Sequence, residues 1–228
     1  MHDGVNFSLV CRYGTQVWLV LSEPCKAETL AEIPLDPHLN RTGDHWHIRI
    51  DGLPEEFCYG YRVDGPVGNG HRFDPSKILL DPSARALSCG HPWGADDGFP
   101  RRSLMNEAMI DRESFINPRV PLEDTIIYEL HVRGFTIDPS SEVANPGTYA
   151  GLAGKIDYLK WLGITAVELL PVDEFDENDC SYVSPLTGER LKNFWGYNPI
   201  SFGAPKSAYA IDPVRSEPWE EFCAMVDS

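Results

Sequence analysis

Two nearly continuous apolar runs, Thr125 to Val132 and Ile164 to Val172, constrain what this chain can fold into more than any other feature. A strand reads this way when helices cover both of its faces, as in a parallel sheet. Between the runs, Thr148 follows Pro146 and Gly147 as a candidate N-cap. Leu152, Ile156, Leu159 and Leu162 then recur at helical spacing, and Gly163 supplies a stop. A right-handed β-α-β crossover is the expected result. Residues 173–209 read as loop, and Pro218 to Val226 as the opening of another helix. Two parallel strands and one complete helix cannot close a sheet or a barrel, and a β/α barrel takes about 250 residues. The second half is therefore expected to be a chain cut short.

The first half follows a different grammar. Val5 to Cys11, Val17 to Leu21, Trp46 to Ile50 and Phe57 to Val63 are short β-branched or aromatic runs. Breakers such as Arg41-Thr42-Gly43-Asp44, Asp51-Gly52 and Asp64-Gly65-Pro66 separate them and supply the backbone angles that turns require. Strands at about ten-residue spacing predict a small β-sandwich. The Pro/Gly-rich stretch that follows, with Asp74-Pro75, Asp81-Pro82, His91-Pro92-Trp93-Gly94 and Phe99-Pro100, has little periodicity and reads as irregular structure.

Charge narrows the partners. The 228 residues carry 35 acidic and 19 basic side chains, for a net −16. That excess opposes a polyanion such as nucleic acid, whose binding needs Lys and Arg to displace counterions. No run approaches 18 apolar residues and no signal peptide is evident, so no membrane residence is expected. The six cysteines are scattered without a C-x-x-C pair, which points to a reducing cytoplasm and away from a zinc site or a disulfide framework. A neutral, hydroxyl-rich or cationic ligand remains.

Each candidate site residue has a functional and a structural reading. Asp173, Glu174, Asp176, Glu177 and Asp179 follow the second apolar run, where loops of parallel α/β folds build sites. They read either as ligands for a hard cation or a sugar hydroxyl, or as a solvated acidic loop, the commoner case for such runs. Glu129 and Glu168 lie mid-strand and read as structural carboxylates, buried or edge-paired, rather than an acid/base pair. His131, alone in an apolar strand, reads as a satisfied core residue rather than a general base or metal ligand. Phe194-Trp195-Gly196-Tyr197-Asn198-Pro199 is either interior loop packing or a sugar platform, since aromatic faces bind sugar C–H surfaces and Asn and Tyr pair with hydroxyls. Trp18 and Trp46 read as buried sandwich aromatics with a binding role as the alternative.

Longer motifs carry a family resemblance. Tyr59-Gly60-Tyr61-Arg62-Val63, Asp64-Gly65-Pro66 and the run Gly70-His71-Arg72-Phe73-Asp74-Pro75-Ser76-Lys77-Ile78-Leu79-Leu80-Asp81-Pro82 resemble the isoamylase and glycogen debranching enzymes of glycoside hydrolase family 13. Gly4-Val5-Asn6-Phe7-Ser8-Leu9 resembles the opening of the family's carbohydrate-binding module 48. Ile127-Tyr128-Glu129-Leu130-His131-Val132-Arg133-Gly134-Phe135-Thr136 resembles the first strand of its catalytic barrel. The resemblance implies an immunoglobulin-like all-β sandwich over residues 1–85, a connecting segment over 86–120, and the start of an incomplete (β/α)8 TIM barrel over 121–228.

The activity implied is retaining hydrolysis of α-1,6 branch linkages in glycogen-like glucan, with no organic cofactor and no metal. Tyr197 would stack on the sugar beside the scissile bond, with Asn198 at its side as a hydroxyl partner. The family's catalytic carboxylates lie on later strands, so no catalytic residue is assigned within the chain, which by itself is expected to be inactive. A branching enzyme, a maltooligosyltrehalose hydrolase and a non-catalytic glucan-binding protein are the alternatives, and the Gly-His-Arg-Phe-Asp-Pro-Ser-Lys run favours the debranching enzymes. Ile127, Leu130, Val167 and Leu169 are expected to be left uncovered as an apolar patch.

Overall fold

The computed structural model describes residues 4–26, 28–95, 98, 100–106, 118–214 and 217–228. They form two compact units, one within 1–89 and 98–111, the other within 90–97 and 112–228.

The first unit is built from strands β1 (Val5–Val10), β2 (Gln16–Ser22), β3 (Thr29–Leu35), β4 (Arg41–Thr42), β5 (His45–Ile50), β6 (Glu56–Asp64), β7 (Val67–Gly68), β8 (His71–Arg72) and β9 (Ser103–Asn106). One sheet runs β1-β5-β4 and another β3-β2-β6-β9, while β7 and β8 pair with each other. The breaker at Gly43-Asp44 is the two-residue loop between Thr42 and His45, with Gly43 at φ +62°. Side chains from both sheets share one core: Phe7 from β1, Val17, Leu19 and Leu21 from β2, Leu35 from β3, Trp46 from β5, and Phe57, Tyr59, Tyr61 and Val63 from β6.

Trp46 is a core residue. Its Nε1 donates to the Cys11 carbonyl at 3.2 Å, and the Arg41 guanidinium lies 5.0 Å from its ring centroid. Trp18 is half-buried. The sequence reading passed over β3, β9 and the two-residue strands β4, β7 and β8, and Arg41 and Thr42, read there as part of a breaker, are β4. β3 carries Pro34, which an edge strand tolerates because one row of its N–H groups is unpaired, and β3 is an edge. β9 has four residues, too few to show a period, and adds the other edge inside the segment expected to be irregular. Positions 96, 97, 99 and 107–117 of that segment lie outside the described residues.

The motif between residues 70 and 82 folds back onto β6. Tyr61 and Leu79 exchange backbone hydrogen bonds at 2.9 and 2.7 Å, and a Cβ at Gly60 would meet the Leu79 carbonyl oxygen at 2.7 Å. Only glycine permits that approach. Arg62 donates to Glu32 and to the carbonyls of Pro75 and Ser76. Tyr59 donates to Asp81, whose own amide donates to Ser103 Oγ.

The second unit contains β10 (Ile127–Leu130), α1 (Val132–Thr136), α2 (Tyr149–Ala153), α3 (Ile156–Trp161), β11 (Ala166–Leu169), β12 (Asp173–Phe175), β13 (Pro199–Pro205) and α4 (Glu217–Asp227). β10 and β11 pair in parallel from Ile127↔Ala166 to Leu130↔Leu169, joined by a helical crossover. Thr148 caps α2, its Oγ1 accepting from the Gly151 amide at 3.0 Å. Three readings are corrected. The first apolar run stops at Leu130, because His131 caps α1 and Val132 is already helical. The single expected helix is two, interrupted at Gly154-Lys155. Residues 173–209 include an antiparallel pair, β12 with β13.

Leu130, Val132, Tyr149, Leu152, Leu159, Phe175 and Tyr209 are the buried core of this unit. Of the four residues expected to be uncovered, Ile127 and Val167 are exposed, Leu169 is half-buried and Leu130 is buried. No described helix is long and apolar enough to cross a membrane.

Leu19 is fully buried at the centre of the sandwich. Leu19→Ala is expected to lower stability by about 2–5 kcal/mol through lost burial and a residual cavity. Urea unfolding followed by near-ultraviolet circular dichroism checks this, and a loss below about 1 kcal/mol would contradict the packing described.

Candidate functional site

Three charged side chains are buried where the sequence reads as an exposed acidic loop. After Pro171 the chain turns into β12, and the register against β13 shifts at Asp173/Glu174 and again at Glu174/Phe175. These irregularities bury the consecutive residues Glu174 and Phe175. Lys206, directly after β13, is 0% exposed; its Nζ donates to Glu174 Oε1 at 2.9 Å, Glu177 Oε2 at 2.6 Å and the Phe175 carbonyl at 2.8 Å. All three ammonium donors are thereby used.

The outer carboxylate oxygens are also satisfied. Glu174 Oε2 accepts from the Ser207 amide at 2.7 Å, and Glu177 Oε1 from the Gly94 amide at 2.7 Å. Burial pushes the Glu177 carboxyl up, but the Lys206 charge and the Gly94 hydrogen bond outweigh it and hold the group below its ordinary value. Burial and these carboxylates push the Tyr149 and Tyr209 hydroxyls well above theirs. The solvated-loop reading is thus corrected for Glu174 and Glu177, while Asp176 and Asp179 are exposed. Asp173 is half-buried, and burial raises its carboxyl. Among the described residues no group of three or more His, Cys, Asp or Glu side chains is arranged to hold a metal ion.

An aromatic layer is packed on this cluster. Trp93 stacks on Tyr209 with centroids 6.0 Å apart and an interplanar angle of 11°. It meets Phe175 and Phe194 edge-on, and Arg133 covers it at 5.0 Å. His131 stacks on Phe194 at 4.3 Å and 11°. Its Nδ1 accepts from the Gly134 amide at 2.9 Å, which leaves the proton on Nε2, 2.8 Å from the Phe194 carbonyl and 3.0 Å from Tyr209 Oη. Burial, aided by the Arg133 charge, holds the imidazole below its ordinary value. His131 is the satisfied core residue that the sequence led us to expect.

The aromatic segment stands on this support. The Asn193 amide donates to the Glu177 carbonyl at 2.8 Å, and the Gly196 amide to Asn193 Oδ1 at 3.3 Å. Gly196 sits at φ +78°, and a Cβ there would lie 2.5 Å from the Phe175 ring, so no other residue fits the turn. Trp195 and Tyr197 flank it, 56% and 71% exposed. Asn198 is exposed and its Nδ2 donates to Asp179 Oδ2 at 3.0 Å. Tyr197 and Asn198 line an open cleft of about 520 Å³, together with Asp179, Tyr182, Arg190 and Trp195. Phe194 is packed inward, as the interior-packing reading has it, while Trp195 and Tyr197 are exposed.

Glu129 and Glu168 pair across β10 and β11, and both are exposed rather than buried. Sequence reasoning missed Lys206 and Trp93. Lys206 had one signal, as a lone cation in the apolar stretch from Pro199 to Ala210. Trp93 had none beyond its type.

Lys206→Met would leave two buried carboxylates facing each other and is expected to cost about 3–5 kcal/mol in urea unfolding at pH 7. Adding Glu174→Gln and Glu177→Gln should recover part of that loss, and an equally unstable triple variant would contradict the account. The pH dependence has a defined sign. His131, with a folded value below 6.5, contributes stability that is present above pH 6.5 and lost as pH falls from there through the folded value. Glu177, held below 4.5, contributes stability present above pH 4.5 and lost as pH falls further. Urea midpoints should drop from pH 7.5 to 5.5 and again towards pH 3.5, with a smaller first drop in His131→Gln.

Residues 1–84 match carbohydrate-binding module 48, the isoamylase N-terminal domain. Over 220 residues the chain is 40% identical to isoamylase 1, chloroplastic, of Arabidopsis thaliana, covering 91% of this chain and 28% of that protein. It is 36% identical over 238 residues to a glycogen debranching enzyme of Cronobacter sakazakii, covering 96% and 34%. A pullulanase structure from Bacillus acidopullulyticus superposes with a TM-score of 0.74 at 26% identity, covering 100% of this chain and 27% of the other. The chain thus spans about a third or less of the length of the relatives it matches. Over nearly its whole length the chain is similar to one part of the isoamylases and glycogen debranching enzymes, and its first 84 residues match the isoamylase N-terminal carbohydrate-binding module.

Proposed function

We propose that the chain is the front portion of a debranching hydrolase that cleaves α-1,6-glucosidic linkages in glycogen-like α-glucan. The observation that carries this reading is the Tyr197 ring, left 71% exposed at the edge of a cleft while its neighbours are tied to a buried, saturated charge cluster. A chain gains nothing in stability by presenting an aromatic face to water on so rigid a support. A sugar ring is the ligand such a face fits, and Asn198 beside it supplies a hydrogen-bonding amide for hydroxyls.

In this reading residues 1–85 are the sandwich, 86–120 the connection, and β10 and β11 the first two strands of a (β/α)8 barrel. Glycoside hydrolysis with retention uses two carboxylates about 5–5.5 Å apart, one as nucleophile and one as acid/base. None of the acidic residues described above is assigned either role. Glu174 and Glu177 are committed to Lys206. Tyr197 and Asn198 bind and orient the sugar whose bond is broken. A cytoplasmic setting belongs to the same proposal, and it rests on the six cysteines being scattered without a C-x-x-C pair.

The test is the product of the complete reading frame acting on glycogen. Release of reducing ends as linear chains supports the proposal; glucan binding without hydrolysis would replace it with a glucan-binding protein, and new branch points with a branching enzyme. Tyr197→Ala in that enzyme is expected to lower kcat about tenfold or more with a smaller change in KM. Equal effects on both would place Tyr197 away from the reacting sugar.

A further inference from the structure

Three aromatic side chains in one cleft are exposed: Tyr182 at 74%, Trp195 at 56% and Tyr197 at 71%. Of the other aromatics of this unit, Tyr149, Phe175 and Tyr209 are fully buried, while Tyr158, Trp161 and Phe202 are exposed away from this cleft. Neither Tyr182 nor Tyr197 packs against another aromatic ring among the described residues. Tyr182 does not belong to the Phe194–Pro199 segment. It opens a hairpin of its own, and the backbone of that hairpin is well held.

The Leu191 amide donates to the Tyr182 carbonyl at 2.9 Å, and Val183 and Arg190 form an antiparallel bridge. The Ser184 amide donates to Glu189 at 2.8 Å, and Gly188 takes the left-handed position at φ +74°. Arg190 Nε donates to the Cys180 carbonyl at 2.6 Å, tying the hairpin to the segment that carries Asp179. Tyr182 is therefore presented from a fixed base.

The polar lining of the cleft includes a single acid, Asp179, and a single base, Arg190, with the amides of Asn193 and Asn198 beside them. Balanced charge, amides that both donate and accept, and flat aromatic faces fit a neutral polyhydroxyl ligand better than an anion or an apolar chain. We propose that Tyr182 is a second sugar platform: the hairpin of residues 181–191 extends the Tyr197 site so that one linear glucan chain rests on both rings, and the hairpin sets the preference for longer chains. The inference rests on the sugar-binding reading of Tyr197.

Isothermal titration calorimetry with maltotriose and with maltohexaose, on the 228-residue chain and its variants, tests it. Tyr182→Ala is expected to weaken maltohexaose about tenfold and maltotriose less, because in this proposal a longer chain uses both rings while a shorter one relies mainly on Tyr197. Tyr182→Phe keeps the ring and is expected to stay within twofold of the parent for both sugars. Tyr197→Ala should weaken both sugars. Because Tyr182 is exposed, its variants should retain the parent far-ultraviolet circular dichroism spectrum. Loss of affinity in Tyr197→Ala with none in Tyr182→Ala overturns the second platform and leaves the proposed function standing. Equal losses for Tyr182→Ala and Tyr182→Phe overturn the stacking role, since only the hydroxyl differs between Tyr and Phe. No binding by the parent chain, or no change in any variant, overturns both readings.

Discussion

The second unit is organised around one ammonium group. Lys206 has no exposure and no unused donor, and the two carboxylates it joins have each given their other oxygen to a backbone amide. Taking such charges out of water costs several kcal/mol per ion, and only complete pairing offsets it. That demand fixes geometry. Glu174 holds the start of the Ser207–Tyr209 turn, Glu177 holds Gly94, and the Glu177 carbonyl holds Asn193 at the root of the aromatic segment. A buried apolar cluster of the same volume could be as stable, but it would specify fewer of these positions.

Rigidity beneath and exposure above divide the labour in the aromatic segment. Phe194 is clamped between His131 and Trp93, Gly196 lies against Phe175 where no side chain fits, and Trp195 and Tyr197 are turned out on either side of it. His131 suits this place because a neutral imidazole accepts at one nitrogen and donates at the other. It can therefore cap α1 and hold the Phe194 carbonyl at the same time. A lysine would offer only donors and an amide would not stack as His131 does, at 4.3 Å.

Legibility followed the length of the pattern. β2, β5 and β6, the parallel pair and α4 were readable because alternation or apolar runs persist over enough residues to set a period. β3 and β9 were hidden by Pro34 and by length, and β12 by its acidic composition. The charge cluster was invisible for a deeper reason. Residues 174, 177 and 206 are separated by a segment with no period, and nothing local distinguishes a carboxylate that meets an ammonium from one that meets water. Tyr197 and Asn198 were picked out by motif, and the geometry explains their surroundings. Tyr182 has no motif and became visible only as a member of a cleft.

The long motif between residues 70 and 82 shows what such recognition leaves out. Asp74 accepts from both the amide and the hydroxyl of Ser76, and this contact lowers its carboxyl; Arg62 then takes the carbonyls of Pro75 and Ser76. Leu79 closes the backbone ladder onto Tyr61, and Asp81 accepts from Tyr59. Each of these contacts ties the segment to β6, the central strand whose residues from Phe57 to Tyr61 are all buried. The most diagnostic residues of the first unit therefore act as its fastening, whereas the exposed rings that meet a sugar in our reading stand in the second unit, on short loops with far weaker patterns. A match in sequence is strongest where backbone packing leaves few alternatives, and such positions need not be the ones that touch a ligand.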